Sequence, residues 1–480
     1  NAMGPSWTDP RSGEILQANV SVYHNMVRLV QDWRFIQTAP ADPSVRGVNL
    51  DEKTLGDCIR YVIAHEIGHC LGLMHNMSAS AAIPTDSLRS PSFTRKHGTT
   101  HSIMDYARFN YVAQPGDAAR GVRMTPPELG LYDYYAIRWL YTPLSDAVTS
   151  HDEVPVLDSW ISERSGDPVY RYGKQQFYAH HDPSSFEEDL GDDAVKSATY
   201  GVKNLRYLLA NLNDWTRDND PDFSFRERVY NEIVSQYVRY LNHVVANIGG
   251  IYLNERYEGD KLPHQAFVSR EKQKRAVRFL LNQVKEVQWL DSPAFQKEMP
   301  LMGMVSRELE DKIIAAVLGR LAPVSYNADK APAKLAYTPD AYMNDIYDFV
   351  FTPTIQGRTL SATEKKLQLA LLSRVIGGAN VEKTSASRGG FRMLIDVPEA
   401  VKAKSVAYYG DLANLSRSLA ERQGFSYYVD IDPKQADMAP YYYDLMKRVR
   451  QLLQGKASSG SADTQQHYKF LLHKLEQAMR

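Results

Sequence analysis

Apolar and polar residues change period along this chain, and each change marks an element. Leu16, Ala18, Val20 and Val22 alternate with Gln17, Asn19, Ser21 and Tyr23, after the turn signal Asp9-Pro10-Arg11-Ser12-Gly13. A period of two predicts a half-buried strand over residues 14–23. Met26, Val27, Leu29, Val30, Trp33, Phe35 and Ile36 then follow a helical period, which Ala39-Pro40-Ala41-Asp42-Pro43 breaks. A second helix is predicted from near Asp51 to Leu71, with Leu55, Cys58, Ile59, Val62, Ile63 and Ile67 as its apolar positions. Residues 76–101 are rich in Ser, Thr and Pro and read as loop, with His97 and His101 on its surface. Thr125-Pro126-Pro127-Glu128 combines an N-cap, a first-turn proline and an acid, predicting a helix over Leu129 to Leu140.

Residues 144–190 are mixed. His180-His181-Asp182 reads as polar surface, and the acids from Glu187 to Asp193 read as the charged start of the next helix. From Asp192 onward the pattern is helical almost throughout. Ser224-Phe225-Arg226-Glu227 and Ser361-Ala362-Thr363-Glu364 have the form of capping boxes. After the first, Val229, Ile233, Val234, Tyr237, Val238, Leu241, Val244, Val245 and Ile248 mark one apolar face, which Gly249-Gly250 stops. Ser269 opens a helix through Trp289 whose basic run, Arg270 to Arg278, reads as a solvated face. Further helices are predicted at 305–320, 340–350, 398–422, 436–454 and 463–479, with a flexible linker at Gly455 to Ser461. The fold class is mostly α (α+β).

Composition changes this picture little. The chain has 480 residues, 43% hydrophobic and 24% charged, an ordinary globular balance. Its formal net charge of −1 supplies no global field to draw in nucleic acid. No apolar run is long enough to span a bilayer. Asn1-Ala2-Met3 reads as an expression-tag scar, no signal peptide follows, and the sequence is expected to begin inside a longer protein. The two cysteines, Cys58 and Cys70, fall on one predicted helix. Twelve residues of helix put them about 18 Å apart, too far for a disulfide, so both read as small apolar residues.

The chemistry concentrates in His65-Glu66-Ile67-Gly68-His69-Cys70-Leu71-Gly72-Leu73-Met74-His75, an H-E-x-x-H-x-x-G-x-x-H pattern. Four residues apart on a helix, His65 and His69 share one face, within reach of a single tetrahedral zinc. Gly72 can take the left-handed conformation that ends a helix, so the chain can turn back and offer His75 as third ligand. Three protein ligands leave one position open, as in catalytic zinc sites. Glu66 stands beside the metal, where it can hold a water.

Downstream lies Ser102-Ile103-Met104-Asp105-Tyr106. With it, the sequence resembles the metzincin clan of zinc metallopeptidases, in which a methionine turn lies under the metal. The spellings HEIGHCLGLMHN and SIMDYARFNY, with the long helical tail, resemble a family of large bacterial (Bacteroidetes-type) zinc-dependent metalloproteases. The resemblance implies that Zn2+ is the cofactor, Met104 is the turn methionine, and Tyr106 ligates zinc or stabilises the transition state. Core packing is the alternative for both. It also implies that the strand over 14–23, with Ala18 and Val20, is the cleft edge that pairs with a peptide substrate. An interior strand is the alternative there.

The expected organisation is thus a metzincin-like zinc catalytic domain over 4–143, a mixed segment over 144–190, and a helical region over 191–480, with possible subdomains 191–330 and 331–480. Only one convincing strand precedes the zinc helix, so the upstream sheet is expected to be missing and the catalytic domain truncated. The resemblance implies an endopeptidase in which zinc activates a water and Glu66 is the general base. The expected partner is a peptide or protein substrate, with no nucleic acid. The parent protein is expected to be secreted, periplasmic or at the cell surface. The rival readings are a helical scaffold with a structural or vestigial zinc site, and an inactive fragment.

Overall fold

Helix α1 (Met26–Thr38) joins the two halves of the molecule, and its sequence shows how. One side, with Met26 and Val30, packs with Cys58 and Phe109 against helix α2 (Glu52–Cys70). The other side, with Phe35 and Ile36, enters the largest core. There Phe35 meets Phe225 edge to face at 5.3 Å, and buried Asp32 pairs with Arg228 at 2.9 Å. This computed structural model describes residues 2–176, 180–256, 258–299, 304–379 and 438–479. The predicted helix at 398–422 lies outside the described residues.

The largest core is built by helices. Short α3 (Pro91–His97) and α4 (Leu131–Tyr141) follow the zinc-motif helix, and α5 (Ser150–Arg164) leads towards α6 (Ala194–Thr216) and α7 (Ser224–Val245). Beyond these come α8 (Arg270–Glu286), α9 (Pro293–Gln296), α10 (Val305–Gly319), α11 (Leu321–Lys330), α12 (Pro339–Ile355), α13 (Ala362–Ala379), α14 (Ala439–Lys456) and α15 (Ala462–Ala478). The whole apolar face expected on α7, from Val229 to Ile248, is buried. Loop residues Ile83, Leu88, Tyr111 and Val112 join the same cluster as α6 and α7, so one apolar interior runs beneath both halves.

Several local expectations change. α7 is not capped by Ser224; the Asp220 carboxylate accepts from the N–H groups of Phe225 (2.9 Å) and Arg226 (3.0 Å) instead. The box at Ser361 does form, with Ser361 N–H donating to Glu364 and Glu364 N–H to Ser361 Oγ. The helix expected from Leu129 starts at Leu131, because Asp133 accepts from the N–H of Gly130 at 2.7 Å. Cys58 is buried and Cys70 is partly exposed. His101 is buried rather than on the surface, and His97 lies at the end of α3 with its ring 5.5 Å away.

Strands are few and paired in ribbons. β1 (Ala2–Met3) pairs antiparallel with β4 (Ser21–Val22), β2 (Ser6–Thr8) with β3 (Ile15–Ala18), and β5 (Ile251–Leu253) with β6 (Gln265–Phe267). The single strand expected over 14–23 is therefore two, and Val20 lies between them. Nor is its apolar face covered: Leu16 is 64% and Val22 45% exposed, and Ala18 is exposed too. Alternation places side chains on one face of a ribbon, but burial needs a layer packed on that face.

The acids expected at the start of α6 divide into two groups. Asp193 caps α6, accepting from Lys196 N–H at 3.1 Å. Glu188 is instead fully enclosed, ion-paired with Arg108 and, at 2.8 Å, with Arg239 of α7. Gln37 of α1 donates to the same carboxylate at 3.0 Å. Glu188 therefore ties α1, the segment after the methionine turn and α7 to one point. Glu188→Gln leaves two guanidinium groups without their anion. Discounting for the partial exposure of Arg239, the expected loss is about 3 kcal/mol. Chemical denaturation measures it, and an unchanged midpoint would remove Glu188 from this role.

Candidate metal centre

The zinc-motif helix is well defined at both ends. Asp51 caps it, accepting from Thr54 N–H at 3.0 Å, and Glu52 lies in its first turn. It stops at Gly72, whose φ of 86° is the left-handed conformation that favours glycine. Leu73 N–H then returns to the Gly68 carbonyl at 3.0 Å. This reversal carries His75 back towards His65 and His69.

The three imidazoles meet edge on. His75 Nε2 lies 3.2 Å from His65 Nε2 and 3.0 Å from His69 Nε2. Each ring's other nitrogen faces an acceptor: the Ile103 carbonyl for His65 (2.7 Å), the Leu73 carbonyl for His69 (2.9 Å) and Gln175 Oε1 for His75 (2.8 Å). Those contacts put the ring proton on Nδ1 of all three. Each Nε2 is then a bare lone pair. Three lone pairs gathered within 4.8 Å of one another, two of the pairings in van der Waals contact, repel unless a cation lies between them. Burial also holds all three rings neutral. It lowers His69, drives His65 well below the usual imidazole range together with its two neighbours, and takes His75 down to about 3. The donor set fits zinc, which takes neutral imidazole nitrogens. Among the described residues, no fourth His, Cys, Asp or Glu joins this group.

Glu66 projects from the same helix and is buried. Burial raises its pKa, while a hydrogen bond from Gly4 N–H opposes the rise. Gly4 approaches so closely that a Cβ there would fall 2.1 Å from the Glu66 carbonyl oxygen. Gly4, between β1 and β2, thus lies against the motif helix at Glu66, and Asn19, between Ala18 and Val20, lies against it at Cys70.

The methionine turn lies beneath. Met104 is buried, and its sulfur would stand 2.3 Å from a Cβ at Gly68, so that glycine is where the helix rests on the turn. Asp133 holds the turn from α4, accepting from Ser102 Oγ (2.6 Å) and Ile103 N–H (2.9 Å). Ile103 in turn presents its carbonyl to His65. Sequence reasoning missed Asp133; its signal was an acid in the first turn of a helix. Tyr106 stacks its ring 5.2 Å from His65 and lies 4.6 Å from His75. Burial raises its hydroxyl pKa, keeping the phenol a neutral donor. A cleft of about 830 Å³ opens beside the turn, lined in part by Leu73, Met104, Tyr132, Trp139, Arg164 and Tyr252.

A sequence profile of the family described as Met-zincin matches residues 47–358. No curated protein and no solved structure matches the chain. Among the described residues, no helix is long and apolar enough to cross a membrane.

Asp105 makes the turn sensitive to pH. Its Oδ2 accepts from Ser80 N–H (2.7 Å) and Thr100 Oγ1 (3.0 Å), yet burial pushes its pKa up to about 7 from an ordinary 3.8. A raised folded pKa contributes stability below about pH 4 that is lost as pH rises through about 7. Asp105→Asn has no such proton to lose. Its thermal midpoint relative to the parent is expected to be higher at pH 8 than at pH 5. A pH-independent difference would show that Asp105 does not titrate in this way.

Proposed function

Because the chain belongs to the Met-zincin family, we propose that it is a zinc-dependent endopeptidase, with His65, His69 and His75 as the metal ligands. The observation that carries this reading is the convergence of three Nε2 lone pairs. Bound there, zinc would supply Lewis-acid polarisation of the scissile carbonyl and acidify a water. The chain's own groups would do the rest. A Glu66 carboxylate oxygen takes a proton from the attacking water as its oxygen bonds to the carbonyl carbon. It then gives that proton to the departing amine nitrogen as the C–N bond breaks. The Tyr106 hydroxyl would donate to the developing oxyanion. Met104 has no part in proton transfer; it supports the helix at Gly68.

The substrate-pairing edge is proposed to be β3 and the residues that follow it, with Ala18 and Val20; the Asn19 carbonyl between them accepts from Cys70 Sγ of the motif helix at 3.6 Å. An edge next to the motif helix can hold a peptide's main chain across the general base. The cleft beside Met104 would take a side chain of the peptide, and its aromatic walls suit an apolar or aromatic one. The competing scaffold reading calls for a closed metal site with four protein ligands. The three-histidine group favours an open one.

Glu66→Gln keeps the shape of the site but cannot take the proton. It is expected to retain zinc at one ion per chain and to lower peptide hydrolysis at least about a hundredfold. Metal analysis together with cleavage of a mixed peptide library tests both parts. A Glu66→Gln protein that cleaves like the parent would refute the mechanism.

A further inference from the structure

His65 and His69 take their Nδ1 acceptors from backbone carbonyls, whereas His75 takes its acceptor from a side chain 100 residues away. That difference is the basis of the inference. A backbone carbonyl is always an acceptor. A glutamine amide is an acceptor at one end and a donor at the other, and it can be placed either way round. Something must choose.

The chooser is Glu187. Gln175 Nε2 donates to a carboxylate oxygen of Glu187, and Gln175 Oε1 faces His75 Nδ1 at 2.8 Å. The Glu187 carboxylate offers only acceptor oxygens, so the amide must turn its NH2 group towards it. Oε1 is then directed at His75. His75 must donate from Nδ1, and its Nε2 is left bare towards the metal position. We propose that Gln175 and Glu187 are positioning residues that set the tautomer of His75, and thereby the metal affinity of the site. This inference rests on the zinc reading above.

The surrounding structure holds the pair in register. Asn76, next to His75, accepts from Gly173 N–H at 2.8 Å and donates to the Arg171 carbonyl at 3.0 Å. Met77 N–H donates to the Gly173 carbonyl at 2.8 Å. A Cβ at Gly173 would lie 2.0 Å from Ser78 Oγ, so the Ser78 side chain packs directly on the Gly173 backbone. Gln175 follows two residues later. On the other side, the Glu187 carbonyl accepts from His243 Nε2 of α7 at 3.0 Å, and Glu188 N–H donates to the Tyr106 carbonyl at 3.0 Å. The helical part of the chain therefore reaches the third histidine through a short series of directed hydrogen bonds.

The pair can be exchanged. In a Q175E/E187Q double variant, the new carboxylate at 175 accepts from His75 Nδ1 and the new amide at 187 donates to it. The directionality at His75 is the same, with the charge moved from position 187 to position 175. Gln175→Leu removes the acceptor, and Glu187→Gln alone frees the amide to turn. The test is zinc affinity of the full chain, measured by competition with a chromogenic chelator. The thermal midpoint of each zinc-free protein checks the fold. Gln175→Leu and Glu187→Gln are expected to bind zinc about 10- to 100-fold more weakly than the parent. The exchanged pair is expected to return to within about threefold of it. Single variants with parental affinity would overturn the proposal, as would an exchanged pair as weak as the singles, which would mean packing alone. A parent chain that binds no zinc would instead refute the metal reading itself.

Discussion

Everything in this molecule's chemistry depends on forcing three imidazole lone pairs into one small volume. The arrangement is unfavourable by itself, and the protein sustains it by giving every Nδ1–H an acceptor. The acceptors come from three unrelated places: the return of the motif helix at Leu73, the methionine turn at Ile103, and the distant segment at Gln175. Each is secured in turn, by Gly72, by Asp133 and by Glu187. The site is better described as three fixed acceptors with rings attached than as three histidines on a motif.

The same dependence explains why the two halves share one interior. α1 packs on the motif helix with one side and on α6 and α7 with the other. Glu188 then joins α1, the residues after the methionine turn and α7 through buried charge. The helices thus supply more than bulk. Through His243 and Arg239, α7 holds Glu187 and Glu188 beside the three-histidine group, and the family match continues through residue 358.

Much of this was readable in the residues, and the pattern of success has a physical cause. The motif helix, its start near Asp51, the stop at Gly72 and the face of α7 all depend on neighbours three or four positions apart, so spacing reveals them. Met104 was found through its resemblance to a known turn. What escaped were partners chosen by tertiary geometry. Gln175 and Glu187 lie in an irregular stretch with no period. Asp133 looks like any first-turn acid, and Asp220 outcompetes the Ser224 box from outside its pattern. Glu188 and Asp189 sat in an acidic run that reads as the charged start of a helix, yet both are buried. The alternating stretch at 15–22 differs for the opposite reason: its local pattern is sound, but among the described residues no layer packs over Leu16, Ala18 and Val22.

The separation of His75 from Gln175 also orders events in time. His65 and His69 come together as soon as one helical turn forms. The orientation of His75 waits for closure of a 100-residue loop, an entropic term of about 4 kcal/mol that grows only slowly with length. That closure in turn needs Gly173 seated against Asn76 and Glu187 against His243 of α7. A chain still assembling its helices can hold two imidazoles together but lacks the oriented third. On the proposed reading, the oriented third histidine is therefore acquired late, when the stretch carrying Gln175 and Glu187 docks, and a nascent chain holds only two of the three rings in place.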